Sequence, residues 1–179
     1  MSYEQLEHWA SRLPNPLPAP ECYLLEEARG WILLGDLREA RHSLNRIPAR
    51  YALDPVVLEL KWLLFQRGGE HEAALTCARA MAAVQPTHPY AWKLQADSLA
   101  KLNRFDECLK VASRALERVP LDGEIALDIV RWHCRLNQIE RAREWFKRGL
   151  AVAQSPEDLT SRALQDPELR LLWGSEPPP

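Results

Sequence analysis

The feature that most constrains this chain is self-similarity. The strings Leu34-Gly35-Asp36-Leu37-Arg38-Glu39-Ala40, Gly68-Gly69-Glu70-His71-Glu72-Ala73-Ala74, Leu102-Asn103-Arg104-Phe105-Asp106-Glu107-Cys108 and Leu136-Asn137-Gln138-Ile139-Glu140-Arg141-Ala142 align without gaps, 34 residues apart. A fixed period in the range of about 20–50 residues is the signature of a repeat architecture, in which each unit buries its apolar face only against its neighbours.

Each string has a local physical reading. Gly35, Gly69, Asn103 and Asn137 fall where a first helix ends, and Gly or Asn tolerates the left-handed conformation that closes a helix. Ala40, Ala74, Cys108 and Ala142 are small residues early in a second helix, where two helices of a hairpin approach closely. Gly149, near the end of the last repeat, is expected to serve a neighbour in the same way. Helical apolar periodicity runs before each turn, as in Trp92, Gln95, Ala96 and Leu99, and after it, as in Ala112, Ala115 and Leu116. Pro55, Pro89 and Gly123 stand 34 apart at the starts of first helices, and Pro86 and Pro120 end second helices. Two helices of about 14 residues per unit use all of this punctuation.

These residues resemble the tetratricopeptide repeat, whose period is 34 residues and whose pattern is W-x2-L-G-x2-Y, then A-x3-F, A and P. The third repeat carries Trp92, Ala96, Leu99, Cys108, Ala112, Ala115 and Pro120 in those slots. The fourth carries Ile129, Val130, His133, Ala142, Phe146, Gly149 and Gln154, and the second Leu58, Trp62, Phe65, Ala74, Ala78, Met81 and Pro86. The first is the most divergent: Leu24, Ala28, Trp31, Ala40, Leu44 and Ile47 fit, but Pro48 cuts its second helix short near Arg46. The resemblance implies an all-α fold, an α-solenoid coiled as a right-handed superhelix of four helix-turn-helix repeats with capping helices at both ends. The expected organisation is a capping helix and Pro-rich connector over 1–20, repeats over 21–54, 55–88, 89–122 and 123–154, capping helices over 155–173 and a loose tail over 174–179.

The caps have their own signals. Residues 3–13 place Leu6, Trp9 and Leu13 on one helical face, ahead of the stiff stretch Pro14 to Pro20. Ser155-Pro156-Glu157-Asp158 is an N-cap with proline at the first helical position, starting a helix to about Gln165. Asp166-Pro167-Glu168 repeats the signal, and Leu169, Leu172 and Trp173 form an apolar plug.

Chemistry is sparse. No Gly-rich phosphate loop, H-E-x-x-H helix, G-x-S-x-G elbow or paired-cysteine metal site occurs, so no catalytic residue, cofactor or metal is expected and the chain reads as a non-enzyme. Cys22, Cys77, Cys108 and Cys134 lie far apart in apolar helical contexts and read as reduced core thiols. His133-Cys134 are adjacent, yet neighbours on a helix point about 100° apart. His133 takes the slot the family fills with Tyr, which makes it a packed core histidine. Glu26-Glu27 is a solvated face, and Glu157-Asp158 a helix N-terminal charge. A net charge of -2, from 23 basic and 25 acidic residues, supplies no field for nucleic acid or an anionic membrane. The acidic start of the chain and the absence of a long apolar run lead to the expectation of a cytoplasmic protein.

By the resemblance, first helices line a concave face. Its apolar part here would be Val56, Leu60, Leu63, Tyr90, Leu94 and Leu127, an unusually apolar surface for one the fold need not bury. Arg67, Lys101 and Arg135 recur at 34-residue spacing, either complementing helix dipoles or forming a positive ladder beside the groove. Lys93 and Arg131 add to that ladder, and Glu59, Asp97 and Asp128 blunt it. Family members that grip acidic chaperone C-termini use Lys, Asn and Arg where this chain has Leu25, Arg29, Leu60, Tyr90 and Leu94, which argues against that role. The expected function is a protein-binding adaptor or scaffold that takes a peptide or helix of a partner in the groove. One alternative is a repeat chaperone for secreted or assembly-prone subunits. A distant one is a helical subunit of a prenyltransferase-like enzyme, whose signature His88-Pro89-Tyr90-Ala91-Trp92 resembles once.

Overall fold

The computed structural model describes residues 17–173, so the expectations placed on Leu6, Trp9 and Leu13 and on the tail lie outside the described residues. The described chain is all helix and turn, in two compact units that divide after Gln85.

The first unit holds α1 (Glu21–Leu34), α2 (Leu37–Asn45), a 3-10 turn (Ala49–Tyr51), α3 (Pro55–Arg67) and α4 (His71–Val84). The second holds α5 (Pro89–Lys101), α6 (Phe105–Leu116), α7 (Gly123–Arg135), α8 (Ile139–Val152), α9 (Pro156–Gln165), a 3-10 turn (Pro167–Leu169) and α10 (Arg170–Trp173). Consecutive helices pair as hairpins: α1 with α2, α3 with α4, α5 with α6, and α7 with α8.

The four turns are built alike. Gly35, Gly69, Asn103 and Asn137 have φ of 83°, 73°, 57° and 56°. In that left-handed step the N–H groups of Asp36, Glu70, Arg104 and Gln138 turn back to the carbonyls of Trp31, Phe65, Leu99 and His133, at 3.0, 2.8, 2.9 and 2.8 Å. Those are four of the carbonyls a helix end leaves without a partner, so the turn both stops the first helix and launches the second. Starts of first helices are also capped. Asp54 accepts from the N–H of Val56 at 2.9 Å, Asp122 from Ile125 at 2.8 Å and His88 Nδ1 from Tyr90 at 3.3 Å. The two aspartate caps contribute about 1 kcal/mol each. Pro48 ends α2 early, with Arg46 as its C-cap, and the chain crosses to α3 through the 3-10 turn.

Ala40, Ala74, Cys108 and Ala142 are all fully buried at the hairpin crossings. Gly149 serves a closer approach still: a Cβ built on it would lie 2.7 Å from the Cβ of Ala126 on α7. In the first unit α1 lies on α3 as well as on α2, and one core joins Leu17, Leu25, Ala28, Ile32 and Leu44 to Val56, Val57, Leu60 and Leu64. In the second, α9 and α10 pack on α8 and the 3-10 turn packs on α7. Their Leu159, Ala163, Leu169 and Leu172 join Leu127, Val130, Cys134 and Phe146 in a second core. Trp173 meets the Phe146 ring edge to face at 5.3 Å, a geometry that suits the ring quadrupoles.

Candidate binding surface

The first helices supply every residue expected to bind a partner. In the first unit Arg67 is held at the end of α3, where its guanidinium Nη1 donates to the carbonyl of Ile32 at 2.7 Å. That carbonyl is in the last turn of α1, so Arg67 neutralises the C-terminal end of the neighbouring helix, not its own. Arg29 pairs with Glu26 at 3.6 Å. Leu63 is half-buried against the core.

In the second unit the charges form a connected chain from α5 to the C-terminal segment. Lys93 Nζ lies 3.1 Å from Asp128 and 4.0 Å from Asp97. Arg131 bridges Asp128 and Asp166, each at 2.6 Å. Arg135 pairs with Glu168 at 2.6 Å and lies over the Phe105 ring. Arg162 of α9 pairs with Glu124 of α7. Burial opposes charge on Lys93, but Asp97 and Asp128 outweigh it and raise its pKa. Asp97 is raised as well, because burial of its carboxyl outweighs Lys93. The ammonium makes its shorter contact with Asp128. Lys101 is exposed beside them.

No family model matches the chain, and no curated protein matches it. Solved structures do. It is similar to MamA MSR-1 C2, with TM-score 0.63, 19% identity and 82% of each chain covered. It is similar to TTC0263, a thermophilic TPR protein of Thermus thermophilus, with TM-score 0.59 and 18% identity over 81% of this chain and 80% of that one. A tetratricopeptide repeat protein from Parabacteroides merdae matches with TM-score 0.59 and 12% identity, over 87% of this chain and 58% of the other. The fold is that of the tetratricopeptide repeat. It is an all-α helical-repeat fold of the solenoid class.

On a tetratricopeptide frame the expected apolar groove needs correction. Leu60 is 3% exposed, Leu94 0% and Leu127 0%, and Val56 and Tyr90 are also buried. They are core side chains and offer a partner no free apolar surface. The reason is visible for Val56 and Leu60 in the first unit and for Leu127 in the second. Leu17 and the α1 residues Leu25, Ala28 and Ile32 share a core with Val56 and Leu60, and the C-terminal segment, through Leu159 and Leu169, shares one with Leu127. The charged side chains of α5 and α7 remain accessible: Lys93 and Arg135 are about half exposed, Lys101 is exposed, and Asp97 and Arg131 are less so. The 34-residue ladder also divides, since Arg67 serves a helix end and Arg135 an acidic side chain. Glu59 is buried. The partners of Arg131 and Arg135, Asp166 and Glu168, escaped the sequence reading. A spacing of 33 to 35 residues from cation to acid was the only signal for them.

The reactive-looking groups are quiet. Burial pushes the Cys108 thiol up to about 12 and the Cys134 thiol up to about 11, and raises Cys77, so these three stay protonated and poorly nucleophilic. His133 is buried, with Nδ1 2.9 Å from Gln138 Oε1. Among the described residues no group of three or more His, Cys, Asp and Glu is placed to hold a metal ion. No described helix is long and apolar enough to cross a membrane.

His133 makes a pH prediction. Burial holds its pKa below the usual 6.5, against a smaller raising effect of Gln138. As pH falls through 6.5 the unfolded chain takes up a proton before the folded one does. The stability that His133 supplies is therefore complete above that value, declines below it, and levels off under the folded pKa. His133→Gln keeps a polar partner for Gln138 and removes this titration. Urea unfolding between pH 8 and 5 should show the wild type losing stability relative to the variant as pH falls; parallel curves would refute the assignment.

Proposed function

We propose that the chain is a non-catalytic adaptor that seats an acidic segment of a protein partner along the charged first-helix face of α5 and α7. One observation carries this reading: that face already holds a short acidic segment of the chain itself. Asp166 and Glu168, two residues apart, meet Arg131 and Arg135, one helical turn apart, at 2.6 Å each. Lys93 and Lys101 continue the cationic line on α5, with Asp97 and Asp128 between them to reject a purely anionic ligand. The tetratricopeptide fold of the solved neighbours, assigned to proteins of 12–19% identity, supports a protein-binding role. Leu63, half-buried at the edge of the first core, is the apolar residue of the expected groove that a partner could still touch.

Contacts of this type steer encounter and set specificity more than they add affinity. The test is a partner captured by in-cell crosslinking and then reconstituted from purified proteins. Lys101→Glu combined with Lys93→Gln should weaken its binding about tenfold or more, roughly 1.4 kcal/mol, and should flatten the salt dependence. Control substitutions Lys110→Glu and Lys147→Glu, on the second helices α6 and α8, should leave binding intact. Loss of binding only in the controls would place the partner elsewhere.

A further inference from the structure

Most charges on the first-helix face of the second unit are committed to one another. Lys93 Nζ lies 3.1 Å from Asp128, Arg131 meets Asp128 and Asp166 at 2.6 Å each, and Arg135 meets Glu168 at 2.6 Å. Two charges of α5 are left over. Asp97 is 4.0 Å from Lys93, beyond hydrogen-bond distance, and among the described residues it accepts no hydrogen bond. Lys101 is exposed, and among the described residues it makes neither a hydrogen bond nor an ion pair. The two stand four residues apart on one side of the helix. The Asp97 side chain is 36% exposed, so a ligand can reach both.

Asp97 is held there at a cost. Burial raises its pKa, Asp128 adds to the rise, and the opposing effects of Lys93 and Lys101 do not cancel it. A partly desolvated carboxylate without a hydrogen-bond donor is a charge from which the fold itself gains nothing.

The pair sorts ligands by sign. Phosphate or a run of acids is drawn to Lys101 and repelled by Asp97, and a polyamine meets the reverse. A segment carrying both signs satisfies the two at once. Side chains one turn apart on a helix lie about 6 Å from each other, a spacing that a ligand matches with residues three or four apart in a helix or two apart in a strand.

Resting on the adaptor role proposed above, we propose that Asp97 and Lys101 are the specificity pair of this face: the partner segment sets a Lys or Arg against Asp97 and an Asp or Glu against Lys101. Asp97 is then a binding residue and not only a barrier to anions, and the two roles differ in sign. A barrier makes Asp97→Asn bind an acidic segment more tightly; a receptor for a base makes it bind more weakly.

Short displayed peptides, randomised among Asp, Glu, Lys, Arg, Leu, Ser and Ala and selected on the full chain, are the probe. The wild type should enrich peptides with one base and one acid at the spacing above. A selected peptide should bind Asp97→Asn and Lys101→Gln each about fivefold or more weakly. Without peptide, Asp97→Asn should melt about 2 °C or more above the wild type at pH 7. That gain should close as pH falls toward the usual 3.8, because a raised folded pKa makes the ionised carboxyl unfavourable above that range and costless below it. The charges facing Asp97 are Lys93, Lys101 and Asp128, and the Cys108 thiol of α6 stays neutral throughout. Peptides enriched in acids alone, or tighter binding by Asp97→Asn, would overturn the specificity pair and keep the acidic-segment adaptor. No charge preference at all would remove both. A lower melting temperature for Asp97→Asn at pH 7 would make Asp97 a structural partner of Lys93 and overturn the proposal.

Discussion

Leu60→Asp combined with Leu94→Asp unfolds the protein. Were these leucines anchors on an open groove, the same pair would abolish partner capture and leave helicity untouched, so one experiment separates the two structures of the site. Leu60 and Leu94 are 3% and 0% exposed. Each substitution removes the packing of a buried leucine, at about 2–5 kcal/mol. Each also strands a carboxyl group in a position closed to water, which adds several kcal/mol or forces it to stay protonated. Two such losses match or exceed the roughly 5–15 kcal/mol by which domains are stable. Far-ultraviolet circular dichroism at 25 °C should lose most of its helical signal. A folded double variant would return both residues to the surface.

Phe146→Ala is expected to be the most costly truncation at the C-terminal end. Phe146 lies on α8 in the slot that holds Ala78 and Ala112 in earlier repeats, and it is buried among Leu127, Leu159, Leu169 and Leu172 with the Trp173 ring at its edge. Removing it should cost about 3–5 kcal/mol. Because α9, the 3-10 turn and α10 are anchored on that core, the variant should lose the near-ultraviolet signal of Trp173 and expose Leu169 before the rest of the unit melts. Hydrogen exchange resolves this: protection over 156–173 should fall much further than protection in α5. Uniform loss across the second unit would show that the C-terminal segment is not separately anchored.

These two substitutions fall on either side of what the residues alone convey. The repeat was legible because its signals are local. Gly35, Gly69, Asn103 and Asn137 carry the left-handed step by their own backbone preferences, and Asp54, Asp122 and Ser155 cap the helices that follow them. Pro48 ends α2 through its missing N–H. The C-terminal segment was legible too, since Ser155-Pro156 and Asp166-Pro167 are start signals and Leu169 and Leu172 have nowhere to go but a core.

Exposure was not legible. A leucine at position 60, 94 or 127 has the same side chain and phase whether a neighbouring element covers it or leaves a groove open. The cations show the same ambiguity: Arg67 and Arg135 share a slot, yet one ends on a backbone carbonyl and the other on a glutamate. The sequence by itself determined the period, the turns and the quiet state of His133, Cys77, Cys108 and Cys134, all of which depend on residues within a few positions or on simple apolar character. Only the tertiary structure decided that Val56, Leu60, Tyr90, Leu94 and Leu127 are core, that Asp166 and Glu168 occupy Arg131 and Arg135, and that Tyr23 and Leu34 of α1 stay exposed. Those outcomes rest on contacts about one repeat or more apart, where the free energy lies in which surfaces meet and not in what any one segment prefers.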